Sequence, residues 1–376
     1  MDFFKNGIEL EIDVAFENLR VHAVCGNVLW ASSGYTLFRS DDIVLNWEKI
    51  KQIPVKKINS FLSNFNLMQR LLRARISNII PLASGALLVI ADGKIYRVLP
   101  DMKQVKQVHK IRRGRSPSTN GWCVDAKGYI YYGEYWLNPK REAVYLYKSS
   151  DEGISWERLY SFPQGTVRHV HVFQCDPFTN CLWVATGDKD HECLIAYSKD
   201  EGKTFNIIGS GSQQWRTTSL MFTKNYVYWG TDAPDVQNYI YRWKWPNGPK
   251  QKLAAVDGPV YYSTVLNNKT LLATTGVEKE RCRWDPLRIL SKFLMHSDIE
   301  LGSGEWDHFA HLWISVDGKR WIDLAKWKKD WLSPFFFGHG LIYLAKKQDI
   351  QGYFYFTPMN LKKVSGITYR ARIKLS

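Results

Sequence analysis

Ser149-Ser150-Asp151-Glu152-Gly153-Ile154-Ser155-Trp156 and Ser198-Lys199-Asp200-Glu201-Gly202-Lys203-Thr204-Phe205 share one pattern, Ser-x-Asp-x-Gly-x-Ser/Thr-aromatic. Ser315-Val316-Asp317-Gly318-Lys319-Arg320-Trp321 repeats it with one residue deleted, and Ser40, Asp42 and Trp47 keep its spacing in a degenerate copy. These residue types dictate a hairpin turn. Asp accepts hydrogen bonds from the turn's own backbone, Gly supplies a positive φ, and the aromatic packs between strands. The motif is structural, and its recurrence makes the chain a repeat protein.

A second repeat runs in phase with the turns, consisting of two β-type runs joined by a short polar turn. It occurs at 21–37, 79–98, 122–135, 170–188, 220–232, 260–278 and 340–356. Such spacing fits four-stranded blades of about 40 to 50 residues plus insertions. The fold expected is all-β: a single β-propeller domain over residues 1–376, with seven blades and six as the alternative. A length of 376 residues is compatible with one closed β fold. A 14% aromatic fraction, with 16 Trp and 20 Tyr, favours pleated, half-buried strands. Two stretches do not read as blades. In 59–75, Leu62, Phe65, Met68 and Leu72 recur at helical spacing with Arg70, Arg73 and Arg75 interleaved, and 287–296 repeats this on a smaller scale. They are expected as helical insertions packed on the rim, or as basic amphipathic helices for a membrane surface or a partner.

The formal charge of +15 predicts attraction to polyanions, namely acidic glycans, nucleic acid or an anionic membrane, or simply a soluble basic surface. Lys and Arg are spread along the chain and no nucleic-acid fingerprint accompanies them, so no nucleic-acid partner is expected. Residues 1–20 carry Glu9, Glu11, Asp13 and Glu17, unlike a secretory signal, and no run reaches a membrane span. A cytoplasmic location is expected. The six cysteines contain no CxxC pair, which argues against a zinc knuckle and for a reduced protein, with one disulfide among Cys175, Cys181 and Cys193 left open.

In a blade, the start of the first strand and the end of the second lie at one edge, so residues at those points in every blade face one pocket. At the first-strand starts stand Asn120, Arg168, His169, His171, Gln214, Arg216 and Tyr262; at the second-strand ends stand Glu134 with Tyr135, Asp188, Asp232 and Glu278. Any one acid alone would cap a turn. Together with two arginines and two histidines opposite them, the acids predict a ligand pocket. Arg168 and Arg216 suit a carboxylate, sulfate or phosphate. His169 and His171, two apart on a strand, point to one side. They could ligate a divalent metal with Asp188 or Gln214, serve as general base and acid with Tyr135 or Tyr262, or be hydrogen-bonded channel residues without chemistry. Otherwise no cofactor is expected.

The repeated turn resembles the Asp-box, or BNR repeat, of the sialidase-like propeller superfamily. The resemblance implies a propeller with its site at the channel mouth. Sialidases grip the substrate carboxylate with three arginines and use an Asp acid/base and a Tyr nucleophile assisted by Glu. Arg168 and Arg216 would then stand for two of the arginines, and Glu134 or Tyr135 for part of the rest. The first-blade arginine motif is missing, with only Arg20 in that region. The function expected is a carbohydrate-active protein binding an anionic oligo- or polysaccharide, as a glycoside hydrolase or polysaccharide lyase. The alternative is a non-catalytic glycan- or protein-binding scaffold in polysaccharide assembly, with peripheral membrane contact through the basic helices.

Overall fold

In the computed structural model, which describes residues 3–41, 46–267, 269–278, 304, 306–332, 334–346 and 352–375, each of the seven repeat units becomes the inner pair of strands of an antiparallel sheet. Six sheets have four strands and the seventh has five. The innermost strands are Arg20–Cys25 in blade 1, Ile76–Pro81 in blade 2, Trp122–Val124 in blade 3, Val170–Cys175 in blade 4, Leu220–Thr223 in blade 5, Val260–Leu266 in blade 6 and Leu341–Leu344 in blade 7. The fold is a seven-bladed propeller.

Both faces of each blade are buried, and this explains why its second strand reads as a continuous apolar run. In Leu87–Ala91 all five residues are buried. Leu87, Val89 and Ala91 pack toward blade 1 with Trp30 and Leu37, while Leu88 and Ile90 pack toward blade 3 with Trp122 and Tyr132. Leu182–Thr186 divides in the same way, Trp183 and Ala185 toward blade 5 and Leu182 and Val184 toward blade 3. The hydrophobic core is therefore a ring of inter-blade layers.

Closure of the ring uses the amino-terminal acids. Strand Ile8–Glu17 forms the fourth strand of blade 7, with Phe3–Lys5 outside it, and pairs with Ile367–Leu375 from Ile8↔Leu375 to Glu17↔Ile367. Asp13 meets Arg370 at 2.6 Å, and Glu11 meets Lys374 at 2.9 Å and also Arg372. A strand from one end of the sequence thus completes a sheet from the other.

The repeated turns lie at the edge opposite the strand starts and share one hydrogen-bond scheme. Ser149 Oγ donates to Asp151 Oδ1 (2.8 Å) and accepts from Gly153 N (2.8 Å), and Asp151 accepts from Ser155 N (2.9 Å). Ser198, Asp200, Gly202 and Thr204 repeat these contacts at 2.7, 2.7 and 2.9 Å. Gly153 has φ +83°, and a Cβ there would come 2.6 Å from Leu88 of the preceding blade, so both conformation and packing require glycine. In the degenerate copy, Asp42 lies outside the described residues.

The 59–75 insertion is two short helices, α1 (Lys57–Leu62) and α2 (Asn66–Leu72), broken at Ser63–Phe65. Neither contains a buried residue. The expected helix at 287–296 lies outside the described residues. Cys25, Cys123, Cys175, Cys181 and Cys193 are free thiols, so the disulfide left open by the sequence is not formed; Cys282 is not described. No helix among the described residues is long and apolar enough to cross a membrane.

Candidate functional site

Four innermost strands carry a β-bulge near their start, after the second paired residue in blade 1 and after the first in the other three. The ladders skip from Val21 to Ala23, Ile76 to Asn78, Val170 to Val172 and Val260 to Tyr262. The extra residues are His22, Ser77, His171 and Tyr261. A bulge leaves its residue unpaired and re-aims the side chain. Here it turns polar side chains toward the mouth of the channel in blades 1, 2, 4 and 6.

The blade 4–5 side of the mouth is a closed polar cluster. His169 Nδ1 lies 2.7 Å from the Trp136 carbonyl and so donates to it, which leaves Nε2 as an acceptor. Nε2 of His171 sits 2.9 Å away and donates in turn. His171 Nδ1 is buried, with no hydrogen-bond partner among the described residues, 3.9 Å from Asp232. Tyr135 covers the pair, its ring 4.1 Å from that of His169. The Tyr135 side chain is 39% exposed, facing into the concave mouth.

Both predicted anion-gripping arginines are occupied. Arg168 Nη1 binds Asp188 Oδ2 at 2.5 Å, while Arg216 reaches Asp188 Oδ1 at 3.3 Å and Asp232 Oδ2 at 3.3 Å. Arg216, Asp188 and Asp232 are all buried. Burial alone would raise the Asp188 carboxyl, but hydrogen bonding to His171 and the charges of His171, His169 and Arg216 outweigh it and hold Asp188 well below the usual carboxylate range. Asp232 goes the other way, raised by burial against the charges of Arg216 and His171. Burial first, then the charge of His171, pushes His169 down to about 3, so it is neutral at physiological pH. Burial and the charges of Asp232 and Asp188 push the Tyr135 hydroxyl up to about 12.

The remaining sequence-predicted residues scatter. Glu134 is turned into its blade, accepting from Tyr145 N at 3.1 Å and Tyr147 OH at 3.4 Å. The Gln214 side chain points away from the mouth to Lys250. Asn120 lies in the channel wall and donates to the Thr218 carbonyl at 2.9 Å. Tyr262 packs edge-on against Tyr343 at 5.2 Å. It is Tyr261, on the bulge, that meets Glu278.

Sequence reasoning missed the opposite, blade 1–2 side of the mouth. Arg20 Nη2 donates to the carbonyls of Ile76 (2.5 Å) and Ser77 (2.9 Å), with its guanidinium 5.0 Å from the Tyr343 ring centre. The guanidinium of Arg75, partly buried beside it, has a single hydrogen-bond partner among the described residues, the Met359 sulfur at 3.8 Å. No described carboxylate pairs with Arg20, Arg73 or Arg75. Burial, then the charges of Arg20, Arg73 and Arg70, pulls Arg75 down to about 9, which still leaves it a cation at neutral pH. His22 is driven well below its usual range by burial and by both Arg20 and Arg75. The signal for this side was present as Arg73-Ala74-Arg75 directly before a first strand, with Arg75 in the position that His169 holds in blade 4.

A metal was the other expectation for the histidines. His169, His171 and Asp188 offer ligand atoms within 4.8 Å of one another, and the Trp136 carbonyl orients His169 as a ligand would require. Charge opposes a cation there, because Arg168 and Arg216 already hold the Asp188 oxygens. The donor types fit and the electrostatics do not. A recess of about 390 Å³ on the opposite edge, lined by Asp125, Lys127, Glu201 and Trp245 among others, has its main charges matched internally, with Lys127 2.5 Å from Glu201.

No family model and no curated protein matches the chain. Among solved structures it is similar to a chain of a nidogen–laminin complex, at 15% identity over 66% of this chain and 84% of that one, with a TM-score of 0.43. It is also similar to a gluconolactonase from Xanthomonas campestris, at 11% identity over 78% and 83%, TM-score 0.44. A third is a protein from Agrobacterium tumefaciens assigned as TolB, at 9% identity over 75% and 85%, TM-score 0.45. At such values these likenesses carry no argument about function.

Proposed function

We propose that the channel mouth holds an anionic oligo- or polysaccharide and that the protein is carbohydrate-active, a polysaccharide lyase or glycoside hydrolase. The observation that carries this is Arg75: a partly buried guanidinium next to Arg20, with no carboxylate among the described residues to balance it. An uncompensated, partly desolvated charge is costly and calls for a counter-anion from outside. Tyr262 beside it, half-buried, offers an aromatic ring for a sugar to stack on. A sialidase-type grip on a carboxylate would here use Arg20 and Arg75 in place of Arg168 and Arg216.

The facing side supports proton transfer. Tyr135 is the titratable group that a ligand in the mouth meets first, and behind it His169 and His171 are joined Nε2 to Nε2 at 2.9 Å as the candidate proton-transfer pair. A uronic acid gripped through its carboxylate has an acidified α-proton, which suits a lyase; no metal or cofactor enters this proposal. The test is a panel of uronic-acid, sialic-acid and neutral glycans, with and without chelator, followed by melting temperature and by the absorbance of an unsaturated sugar product. Stabilisation by acidic glycans alone supports the reading, and an unsaturated product makes the protein a lyase. Equal response to neutral glycans, or no response to any acidic one, contradicts it.

One observation favours a second reading. Arg168 and Arg216 are both already paired with Asp188 and Asp232 without a ligand, as expected of a non-catalytic propeller that holds a glycan or protein. Binding without turnover across the panel would select it.

A further inference from the structure

The large apolar side chains that the described structure exposes are concentrated on one edge of the propeller. Most sit on loops at the end where the first strands begin, the edge that carries the mouth. Phe61 is 59% exposed, Phe65 49% and Leu67 47% on the helical insertion; Leu137 (75%) lies on the blade 3 loop and Trp331 (72%) on the linker into blade 7. Their origin in separate loops rules out a frayed element as the cause.

The helical insertion is the centre of this face. Neither α1 nor α2 buries a residue, so neither helix is a core element. Their stretch from Lys56 to Arg75 contains Lys56, Lys57, Arg70, Arg73 and Arg75 and no Asp or Glu. Arg70 is tied to Asp330 at 2.6 Å, which fixes α2 next to the linker carrying Trp331. Phe61 and Phe65 touch only edge-on, their rings 5.4 Å apart, and remain open to water. Lys140, Lys362 and Lys363 are further exposed cations on the same edge.

Short helices with exposed aromatic and aliphatic side chains, flanked by lysine and without acids, have the make-up of segments that lie in the headgroup boundary of a bilayer. Clustered cations add attraction to anionic lipid. A protein partner would be served by a groove or a continuous stripe; here single apolar side chains protrude from several loops, each with cations nearby. We infer that the mouth-bearing edge docks onto an anionic membrane surface, with α1, α2 and the Trp331 linker inserted at headgroup level. The inference does not depend on the glycan reading, and its test contains no glycan.

The experiment is co-sedimentation of the purified chain with vesicles of phosphatidylcholine alone and with a third phosphatidylglycerol, at low and high salt. The wild type should bind the anionic vesicles, weaken with salt and ignore the neutral ones. F61S with F65S, and separately K56E with K57E, should each lower the bound-to-free ratio about tenfold or more. Both pairs are surface exposed, so melting temperatures should stay within a few degrees, which keeps the comparison interpretable. Failure of the wild type to bind at low salt overturns the inference. So does undiminished binding by the F61S/F65S variant, which would reduce the effect to diffuse charge. Vesicles binding neither protein while F61S/F65S abolishes a wild-type dimer would assign the face to a second copy of the chain.

Discussion

Arg216 shows at residue scale how position and role separate. Its place before a first strand is legible in the sequence, but whether its guanidinium is free depends on Asp188 and Asp232, which come from the ends of two different blades. With the side chain buried against both acids, Arg216→Ala should destabilise by about 3 kcal/mol or more, because it strands buried carboxylates. Chemical denaturation measures this, and a change below about 1 kcal/mol would mean that water already balances those acids. His311 is a second buried charge that no sequence pattern flagged. Nε2 lies 2.8 Å from Asp257 and 3.0 Å from Asp307, and Nδ1 lies 3.0 Å from Asp323. Burial alone would lower this imidazole, but its close ion pairs with Asp257 and Asp323 raise it to about 10. A proton held more tightly in the folded chain than at histidine's ordinary value of 6.5 contributes its stability in full below that pH and loses it as pH climbs toward about 10. The melting-temperature gap between wild type and His311→Gln should therefore be widest near pH 6 and shrink toward pH 10; a constant gap would contradict the assignment.

At the scale of elements, the period-2 runs and the Ser-x-Asp-x-Gly turns made the inner strands of all seven blades readable, because each second strand must be apolar on both faces. What stayed hidden was geometry that no local pattern encodes. The bulges that expose His22, Ser77, His171 and Tyr261 are single-residue slips in pairing, and one such slip placed Tyr261 instead of Tyr262 against Glu278. The helical period in 59–75 was legible, but not the break at Ser63–Phe65 or the left-handed turn at Arg73, φ 53°, that ends α2. Ring closure was hidden for another reason: Ile8–Glu17 pairs with a strand more than three hundred residues away, so its acids read only as features of an amino terminus. Deleting residues 1–17 should cost at least about 3 kcal/mol from the lost burial of Ile8 and Leu10 alone, before any hydrogen bond is counted. A melting temperature unchanged by the deletion would rule out this strand as the closing element.

Over the whole molecule, seven blades bring one strand start each to a common mouth and divide it into two unlike sides. Blades 4 and 5 supply a closed network of two arginines, two acids and two histidines. Blades 1 and 2 supply arginines without carboxylate partners among the described residues. A net charge of +15 gave the sign of the expected ligand but not its place, because charge that is already paired and charge that is free look alike in a composition. The central claim is that Arg75 is held unpaired for an external anion. Isothermal titration with an acidic glycan from the panel, on wild type and Arg75→Met, tests it most directly, with melting temperature measured alongside. The account predicts a loss of affinity of about tenfold or more together with an unchanged or higher melting temperature, since an uncompensated charge has been removed from a partly buried position. Undiminished affinity, or a fall of many degrees in melting temperature, would contradict it and make Arg75 a structural residue.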